Sequence, residues 1–465
     1  MSTRIVCPEC INKQEDIYRL REELKQLKAK LRIQQRQISE GYFGSSTPSS
    51  KKPVKKSSVK NSDQKNRGGA KLGHQGNGRR CCSAEQADRV EQVTLACHCP
   101  QCNSSDLEQL DQRERTVIDF EIKRMTIVYQ LERKRCKACG TVVQAKAPDV
   151  LPKNLYSNNL LAHVATEHYV NGIPLGHLER QTGVNVGSLI KAMHQLGRIL
   201  KDVPDKLIEA YRQAPVKHAD ETTWRNDGQN GYGWLFGTTD TAIFRFRHSR
   251  SGKVAQEVLG KEQLPGVLVV DRYAGYNKAP CNIQYCYAHL LRDVQDLEKE
   301  FPDNEEITTF VEAAAPLLAE AMNLRSLPIS DDEFYRRAAN TKEEIIKIMN
   351  SEANHFGIQH IQNIFRENSH RLYHWANNRN VPADNNFAER ELRPLVLARK
   401  VSFGSHSDAG AKTRETLMTV LKTLKLRTKN DVRIAFAHFL NQYAENPSIE
   451  LYDALFSKKT ISTSK

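Results

Sequence analysis

The apolar residues near the amino terminus follow the period of a helix with one apolar stripe. Ile17, Leu20, Leu24, Leu27 and Leu31 recur at 3-4-3-4 spacing, and nearly all the positions between them are charged or Gln. This spacing predicts the seam of a short coiled coil. Because little else in the segment is apolar, the pattern favours association of two chains, with a helix docked on its own chain as the alternative.

A second helical pattern covers residues 151–212. Within it, the segment IPLGHLERQTGVNVGSLI places Gly183 at a turn between two predicted helices, and Ser188 caps or enters the second. Such a pattern fits a helix-turn-helix or an ordinary helical hairpin. We keep both interpretations, because even a true helix-turn-helix can be structural.

After this region the pattern changes to that of strands. The segments VKHAD, YGWLFGTTD and TAIFRFRHS predict strands, and the alternation of Phe with Arg245 and Arg247 predicts a hairpin with one solvent-facing side. A helix is predicted around residues 254–259. The apolar run 266–270 is typical of a central buried strand and places Asp271 at its carboxyl end, where open α/β sheets bind ligands.

Charge is concentrated at the amino-terminal end of this 465-residue chain. The formal net charge is +14, and the first 80 residues contain 19 Lys and Arg against 7 Asp and Glu. Residues 42–80 are rich in Ser, Lys, Gly and Asn and cannot form a core, so we predict a flexible basic linker at 42–90. A basic arm of this kind favours a polyanionic partner such as nucleic acid; a solvated tail is the alternative.

No apolar stretch approaches the roughly 20 residues that a membrane helix needs, and the first ten residues lack the apolar run of a secretory signal. We therefore expect a cytoplasmic protein that does not interact with membranes.

Six of the eleven cysteines form three C-x-x-C pairs. In a reducing cytosol this spacing indicates metal binding. The last two pairs are separated by stretches that predict strands, including 116–120 and 125–129, and this describes a zinc ribbon at residues 91–150 with a structural Zn²⁺. The four predicted ligands are Cys99, Cys102, Cys136 and Cys139. Cys97 is an alternative ligand, and Cys7/Cys10 is half a site.

Carboxylates follow two of the predicted strands. Asp220 and Asp271 lie at or near the ends of neighbouring strands. Oxygen ligands on a rigid sheet suit Mg²⁺, and a pair of such ions can activate the attacking oxygen and stabilise the leaving one in phosphodiester chemistry. A third carboxylate is then expected on a helix that faces the same edge.

The best candidate for this third carboxylate is in the segment ADNNFAERELRP. Asp384 and Asn385 suit the start of a helix, and Pro394 predicts its end near Arg393. Glu389 is then about one turn into the helix, and Glu391 points to another face. From the residues alone, the choice of three among the chain's 55 acidic residues stays open.

Several segments, in this order, resemble the transposases of the insertion sequence 66 family. They are FGSSTPSSK, GGAKLGHQGNGR, the zinc-ribbon cysteines, HADET, DRYAGY, CYAHLLRD, ADNNFAERELRPLVLARKVSFGS and GAKTRE, within residues 42–415. The resemblance implies an α/β multidomain protein in which a ribonuclease H-like mixed sheet of the DDE type follows a coiled coil, a zinc ribbon and a helical DNA-binding region.

The resemblance also implies roles for individual residues. Asp220, Asp271 and Glu389 would hold catalytic Mg²⁺ or Mn²⁺. His289 and Arg292, in a Cys-x-x-His-x-x-Arg segment, would support the site at the scissile phosphate, and we group Arg393 with them.

A gap of 118 residues separates Asp271 from Glu389, so we predict a helical insertion at about 296–375. Trp375, near its end, is more often a core residue than a base-stacking one. The resulting units are residues 1–41 (C-x-x-C and coiled coil), 42–90 (basic linker), 91–150 (zinc ribbon), 151–212 (helical), 213–425 (catalytic domain with the insertion) and 426–465 (C-terminal helical segment).

The sequence therefore predicts a transposase that binds element ends, cleaves DNA with metal ions and transfers strands. Its expected partners are double-stranded DNA and a second copy of the chain or a larger assembly, with accessory proteins left open. A catalytically idle transposase-derived DNA-binding protein and a metal-dependent nuclease without strand transfer are the alternatives.

Overall fold

The computed structural model describes residues 124–152, 154–428 and 431–456, and six isolated positions nearer the amino terminus. From Leu131 onward the described residues belong to one compact unit, and the few described residues between 53 and 130 are assigned to a second unit. Of the predicted coiled coil, only Leu20, Leu27 and Leu31 are described; they are helical and more than half exposed. The coiled coil and the linker otherwise lie outside the described residues and stay predictions.

Two short strands, β1 (Arg133–Arg135) and β2 (Val142–Gln144), form an antiparallel hairpin. The expected strand at 125–129 has no pairing among the described residues. That expectation is wrong for this part of the structure, because an alternating sequence forms a strand only where a neighbouring strand satisfies its backbone groups.

Five strands among the described residues form a mixed sheet in the order β5-β4-β3-β6-β7. They are β3 (Val216–Thr223), β4 (Tyr232–Thr238), β5 (Thr241–Arg247), β6 (Val267–Val270) and β7 (Asn282–Tyr285). β3, β4 and β5 pair antiparallel, whereas β3 with β6 and β6 with β7 pair parallel. The predicted strands and the buried central strand are confirmed.

Helices precede the sheet, as the 3.6-residue pattern predicts. They are α1 (Asn158–Tyr169), α2 (Leu175–Thr182), α3 (Val186–Ile199) and α4 (Val203–Gln213). Gly183 ends α2 in the left-handed conformation with φ 67°, as expected for a turn glycine. Asn185 caps α3 by accepting from Gly187 N at 2.9 Å, so Ser188 lies inside the helix.

After β5, helix α5 (Gly252–Leu259) leads to β6. Between β7 and the segment of Glu389 the structure is helical, with α6 (Tyr287–Glu300), α7 (Glu305–Leu324), α8 (Asp331–Met349), α9 (Phe356–Glu367) and α10 (His374–Asn377). Trp375 is 1% exposed and belongs to the core. No helix in the described ranges is long and apolar enough to cross a membrane.

The chain ends in helices α11 (Asn386–Ser402), α12 (Asp408–Arg427), α13 (Val432–Glu445) and α14 (Leu451–Phe456). The predicted helix end near Arg393 is wrong, since α11 continues through Pro394 to Ser402. Proline removes one hydrogen bond of the helix. The buried residues Leu392, Leu395 and Ala398, on both sides of Pro394, keep the helix packed on the core and offset that loss.

Helix α12 lies along the outer edge of β5 and hydrogen-bonds to it. Thr423 Oγ1 accepts from Ala242 N at 3.1 Å and Thr419 Oγ1 from Phe244 N at 3.0 Å. Glu415 Oε2 accepts from Phe246 N at 3.2 Å. Four residues of helix rise about 6 Å and two residues of strand about 6.6 Å, so the two periods nearly match. The edge strand is thereby closed to further pairing.

The same helix buries charges that the sequence analysis placed in solvent. Arg245 is only 7% exposed, and its Nη1 lies 3.2 Å from Glu415 Oε1. Arg247 Nη1 lies 2.8 Å from Glu415 Oε2. Burial raises the pKa of Glu415, but Arg245 and Arg247 outweigh it and hold the pKa below its usual value. The expected solvent-facing side of the hairpin is therefore wrong, because α12 covers it.

Replacing Thr419 by Val should destabilise the protein, because the buried N–H of Phe244 then loses its acceptor. The expected loss in the free energy of unfolding is about 1–3 kcal/mol, measured by urea denaturation. Thr419→Ser keeps the hydroxyl, and Thr309→Val changes an exposed threonine of α7; both should stay near the parent. Equal stability of Thr419→Val and the parent would contradict the edge-capping role.

Candidate active site

The register of β3 and β6 brings Asp220 and Asp271 together. Val216 lies beside Val267 and His218 beside Val269 in the parallel ladder. Two residues further along each strand are Asp220 and Asp271, so the two carboxylates start from equivalent positions on adjacent strands, which lie about 4.8 Å apart. The prediction that Asp271 emerges at the carboxyl end of a buried strand is confirmed.

Burial dominates the electrostatics of this pair, and repulsion between carboxylates adds to its effect on Asp220. Burial raises the pKa of Asp220 well above its usual value, and Glu221, Asp271 and Glu389 raise it further. Burial also raises the pKa of Asp271, against the opposing effects of the Tyr273 N–H, Arg250 and Arg272. Like charges and desolvation thus disfavour the ionised carboxylates, and a cation between them would oppose both effects.

Asn385 connects the helix of Glu389 to the sheet. It is 2% exposed, and its Nδ2 donates to the Ala219 carbonyl at 2.9 Å. Its Oδ1 accepts from His218 Nδ1 at 2.9 Å, and its backbone N donates to Cys286 Sγ at 3.1 Å. These bonds fix the start of α11 beside β3 and α6, one helical turn before Glu389, whose N–H donates to the Asn385 carbonyl.

The bond from His218 also defines that histidine's state. Because the Asn385 amide nitrogen donates to a carbonyl, its oxygen must be the acceptor, so His218 carries its proton on Nδ1. Burial lowers the pKa of His218 to about 4, although the bond to Asn385 opposes this. His218 is therefore neutral at pH 7 and acts as a fixed donor beside Asp220.

A polar network on Glu221 was missed by the sequence analysis. Arg250 Nη2 lies 2.8 Å from Glu221 Oε1, and Tyr276 OH donates to Glu221 Oε2 at 2.5 Å. Burial, with repulsion from Asp271, raises the pKa of Glu221 to about 7. Arg250 also stacks 4.0 Å above the ring of Tyr273, whose N–H donates to Asp271 Oδ1 at 2.9 Å. The two tyrosines of the DRYAGY segment are the only signal of this network in the sequence that could have been followed, and no inference was made from them.

The other acidic residues of α11 and the turn before it have different environments. Glu391 Oε2 lies 2.8 Å from Lys422 Nζ, and Lys422 is 2% exposed, so Glu391 joins α11 to α12 in a buried ion pair. Asp384 Oδ1 accepts from Asn386 N at 3.0 Å. Only Glu389, of these three, contributes to the raised pKa of Asp220.

The predicted supporting residues are divided between two helices. His289, which is 8% exposed, and Arg292 lie in the first half of α6. This helix begins next to Asp271, because Cys286 N, just before the helix, donates to the Val270 carbonyl at 2.9 Å. Arg393 is exposed on α11, one turn beyond Glu389. Within the described part of the chain, no three His, Cys, Asp or Glu side chains are gathered tightly enough to enclose one ion.

The turn between β1 and β2 carries two of the predicted zinc ligands. Cys136 N donates to the Thr141 carbonyl at 2.8 Å, and Gly140, at φ 72°, donates to the Cys136 carbonyl at 2.9 Å. Cys139 Sγ lies 3.2 Å from Thr141 Oγ1, and this contact, with smaller ones, lowers the pKa of Cys139 to about 7. Cys99 and Cys102 lie outside the described residues, so the four-cysteine site stays a prediction.

Comparison with known proteins identifies the family. The sequence model of the transposase IS66 family matches residues 153–413, more than half of the chain. The chain belongs to this family. The match includes Asp220, Asp271 and Glu389 as well as the five-stranded sheet.

Similar proteins occur in Sinorhizobium fredii. The uncharacterized protein y4qI is 26% identical over 61% of this chain, which spans 59% of the length of y4qI. The uncharacterized protein y4jD is 22% identical over 72% of this chain and 72% of its own length. The uncharacterized protein y4hP is 24% identical over 77% of this chain and 72% of its own length. Their names assign no activity, so the chemistry of this IS66-family chain has to be argued from its own residues.

Replacing Asn385 by Asp should destabilise the protein. The new carboxylate cannot donate to the Ala219 carbonyl and adds charge beside Asp220, so the expected loss is about 2 kcal/mol or more in the free energy of unfolding, measured in urea without added metal. Asn386→Asp, at the exposed start of α11, places charge where the helix dipole favours it and should have little effect. Equal stability of the two variants would contradict the connecting role of Asn385.

Proposed function

We propose that this IS66-family chain is a DDE-type transposase and that its mixed sheet is a ribonuclease H-like catalytic core. The observation that carries the proposal is the register that aligns Asp220 with Asp271, together with the effect of Glu389 on the pKa of Asp220. The arrangement of two parallel strands beside an antiparallel meander supports it further.

The residues fit Mg²⁺ or Mn²⁺ by donor type and by charge. Asp220, Asp271 and Glu389 supply oxygen ligands, which these ions prefer, and their mutual repulsion is relieved by positive charge. When bound, such ions would polarise the scissile phosphate and activate the attacking oxygen. Glu221 is already paired with Arg250, so we assign it to support of Asp271 rather than to the metal.

The other residues of the site position the carboxylates and the DNA. Asn385 and neutral His218 hold β3 against the start of α11, which keeps Glu389 beside Asp220. His289 and Arg292, at the start of α6, are proposed to contact the scissile phosphate, with Arg393 on the neighbouring DNA. Hydrolysis would free 3′ hydroxyls at the element ends, and these would then attack target DNA.

The remaining units are assigned to DNA binding and assembly. The basic residues before position 80 would contact phosphates, Zn²⁺ would be held by Cys99, Cys102, Cys136 and Cys139, and the coiled coil would join two chains. Two element ends must be brought together, which requires a dimer or a larger assembly. The exposed Leu20, Leu27 and Leu31 support such a contact.

Asp271→Asn and Glu389→Gln should each lower magnesium-dependent cleavage of labelled DNA carrying the element ends by about 100-fold or more, because each removes a charged metal ligand. Asp303→Asn and Glu312→Gln, at exposed positions, are the matched controls. Unchanged cleavage in the first two variants would overturn the proposed triad. Specific binding without cleavage by the parent would favour the idle DNA-binding protein, and cleavage without strand joining would favour the nuclease.

Cys136→Ser should lower the zinc content of the purified protein, because a tetrahedral site that loses one of its four thiolates binds zinc more weakly. Metal analysis after dialysis measures this. Cys281→Ser, outside the C-x-x-C pairs, is the control. Equal zinc content in the parent and Cys136→Ser would contradict the assignment of Cys136 as a ligand.

A further inference from the structure

The outward face of α11 carries cations and large apolar side chains together. Arg390, Arg393, Leu397, Lys400 and Val401 are exposed at helical spacing. Leu397 is 57% exposed and Val401 is 53% exposed. Phe403, the first residue after the helix, is 75% exposed. Apolar groups of this size on a surface mark an interaction site when they form a patch. The patch belongs to the helix that carries Glu389.

Phe403 is held in a conformation that its own side chain disfavours. Its φ of 61° and ψ of −3° lie in the left-handed region, which residues other than Gly, Asn and Asp seldom adopt. Its ring gains little from burial, because three quarters of the residue is exposed. Backbone strain that brings no packing is characteristic of functional positions.

The loop after Phe403 makes this presentation rigid. Gly404 lies so close to Arg225 that a Cβ atom would be 2.1 Å from the Arg225 carbonyl oxygen. Ser405 N donates to the same oxygen at 2.9 Å, and Trp224 Nε1 donates to Ser405 Oγ at 3.0 Å. The exposed ring is therefore anchored to the end of β3, the strand of Asp220.

We propose that this face of α11 binds duplex DNA and that Phe403 inserts between base pairs as a wedge. The inference rests on the proposed function for its substrate. Arg393 and Lys400, with Arg390, provide the positive charge that phosphates require, and apolar wedges that unstack a base step and kink the duplex are a known mode of DNA recognition. The positive charge of this patch favours DNA over an uncharged protein surface.

The geometry gives the distance between the kink and the carboxylates. Phe403 is fourteen positions after Glu389, which corresponds to a rise of about 21 Å along the helix, or roughly six base pairs of duplex. The wedge would thus open the duplex about half a helical turn from the scissile bond and bend it against the cations of α11.

The test compares intact and pre-opened DNA. The probe is a 30-base-pair duplex of the element end, either fully paired or with a two-base mismatch moved stepwise along it, and binding is measured by fluorescence anisotropy in Ca²⁺ to prevent cleavage. Phe403→Gly should bind the paired duplex about 10-fold more weakly than the parent, because stacking of the ring is lost. One mismatch position should restore its binding to within about 2-fold of the parent's.

Controls separate a wedge from other roles. Phe403→Gly should unfold at the same temperature as the parent or higher, since glycine adopts the left-handed conformation without strain. Phe356→Gly, with an exposed phenylalanine on α9, should bind like the parent. Arg393→Ala should weaken binding to every duplex alike, because it removes a phosphate contact.

Three outcomes would overturn the wedge. The first is that Phe403→Gly binds the paired duplex with the affinity of the parent. The second is that Phe403→Gly loses the same affinity on every mismatched duplex. The third is reduced self-association of Phe403→Gly with unchanged DNA binding, which would make the face an interface between copies of the chain. Failure of the parent to bind any duplex would instead overturn the proposed function as a whole.

Discussion

The structure of the sheet depends on the hydrogen bonds that the edge strand β5 donates to side chains of α12. Three side chains at four-residue spacing accept from three N–H groups at two-residue spacing, because the rise of the helix over four residues nearly equals that of the strand over two. An open edge would pair with other chains. With this edge closed, the sheet extends in the other direction, from β3 to β6 and β7, where the carboxylates lie.

The same helix organises charge at a distance from the carboxylates. Glu415 compensates Arg245 and Arg247, and Lys422 compensates Glu391. At the carboxylates themselves, Asp271 and Glu389 raise the pKa of Asp220, while Arg250 and Arg272 act in the opposite direction on Asp271. Asn385 connects the start of α11 to β3 and to the start of α6, one helical turn before Glu389.

Local patterns predicted much of this architecture correctly. Alternation and continuous apolar runs located β3 to β6, and helical periodicity located the helices before and after the sheet. The errors share one cause. The strand at 125–129, the solvent-facing side at Arg245 and the helix end at Pro394 were inferred from the segment alone, whereas pairing and packing by distant segments decided all three.

The sequence by itself determined the family and the strand that presents Asp271, because these depend on residue order and short-range periodicity, whereas the choice of the three candidate carboxylates came from the resemblance to the family. Only the tertiary structure decided that Asp220 lies beside Asp271, that Asn385 bonds to β3, and that Glu221 and Glu391 are paired with Arg250 and Lys422. It also decided the exposure of Phe403 in a strained conformation. The reason is that register, burial and backbone strain arise from contacts between residues far apart in the chain.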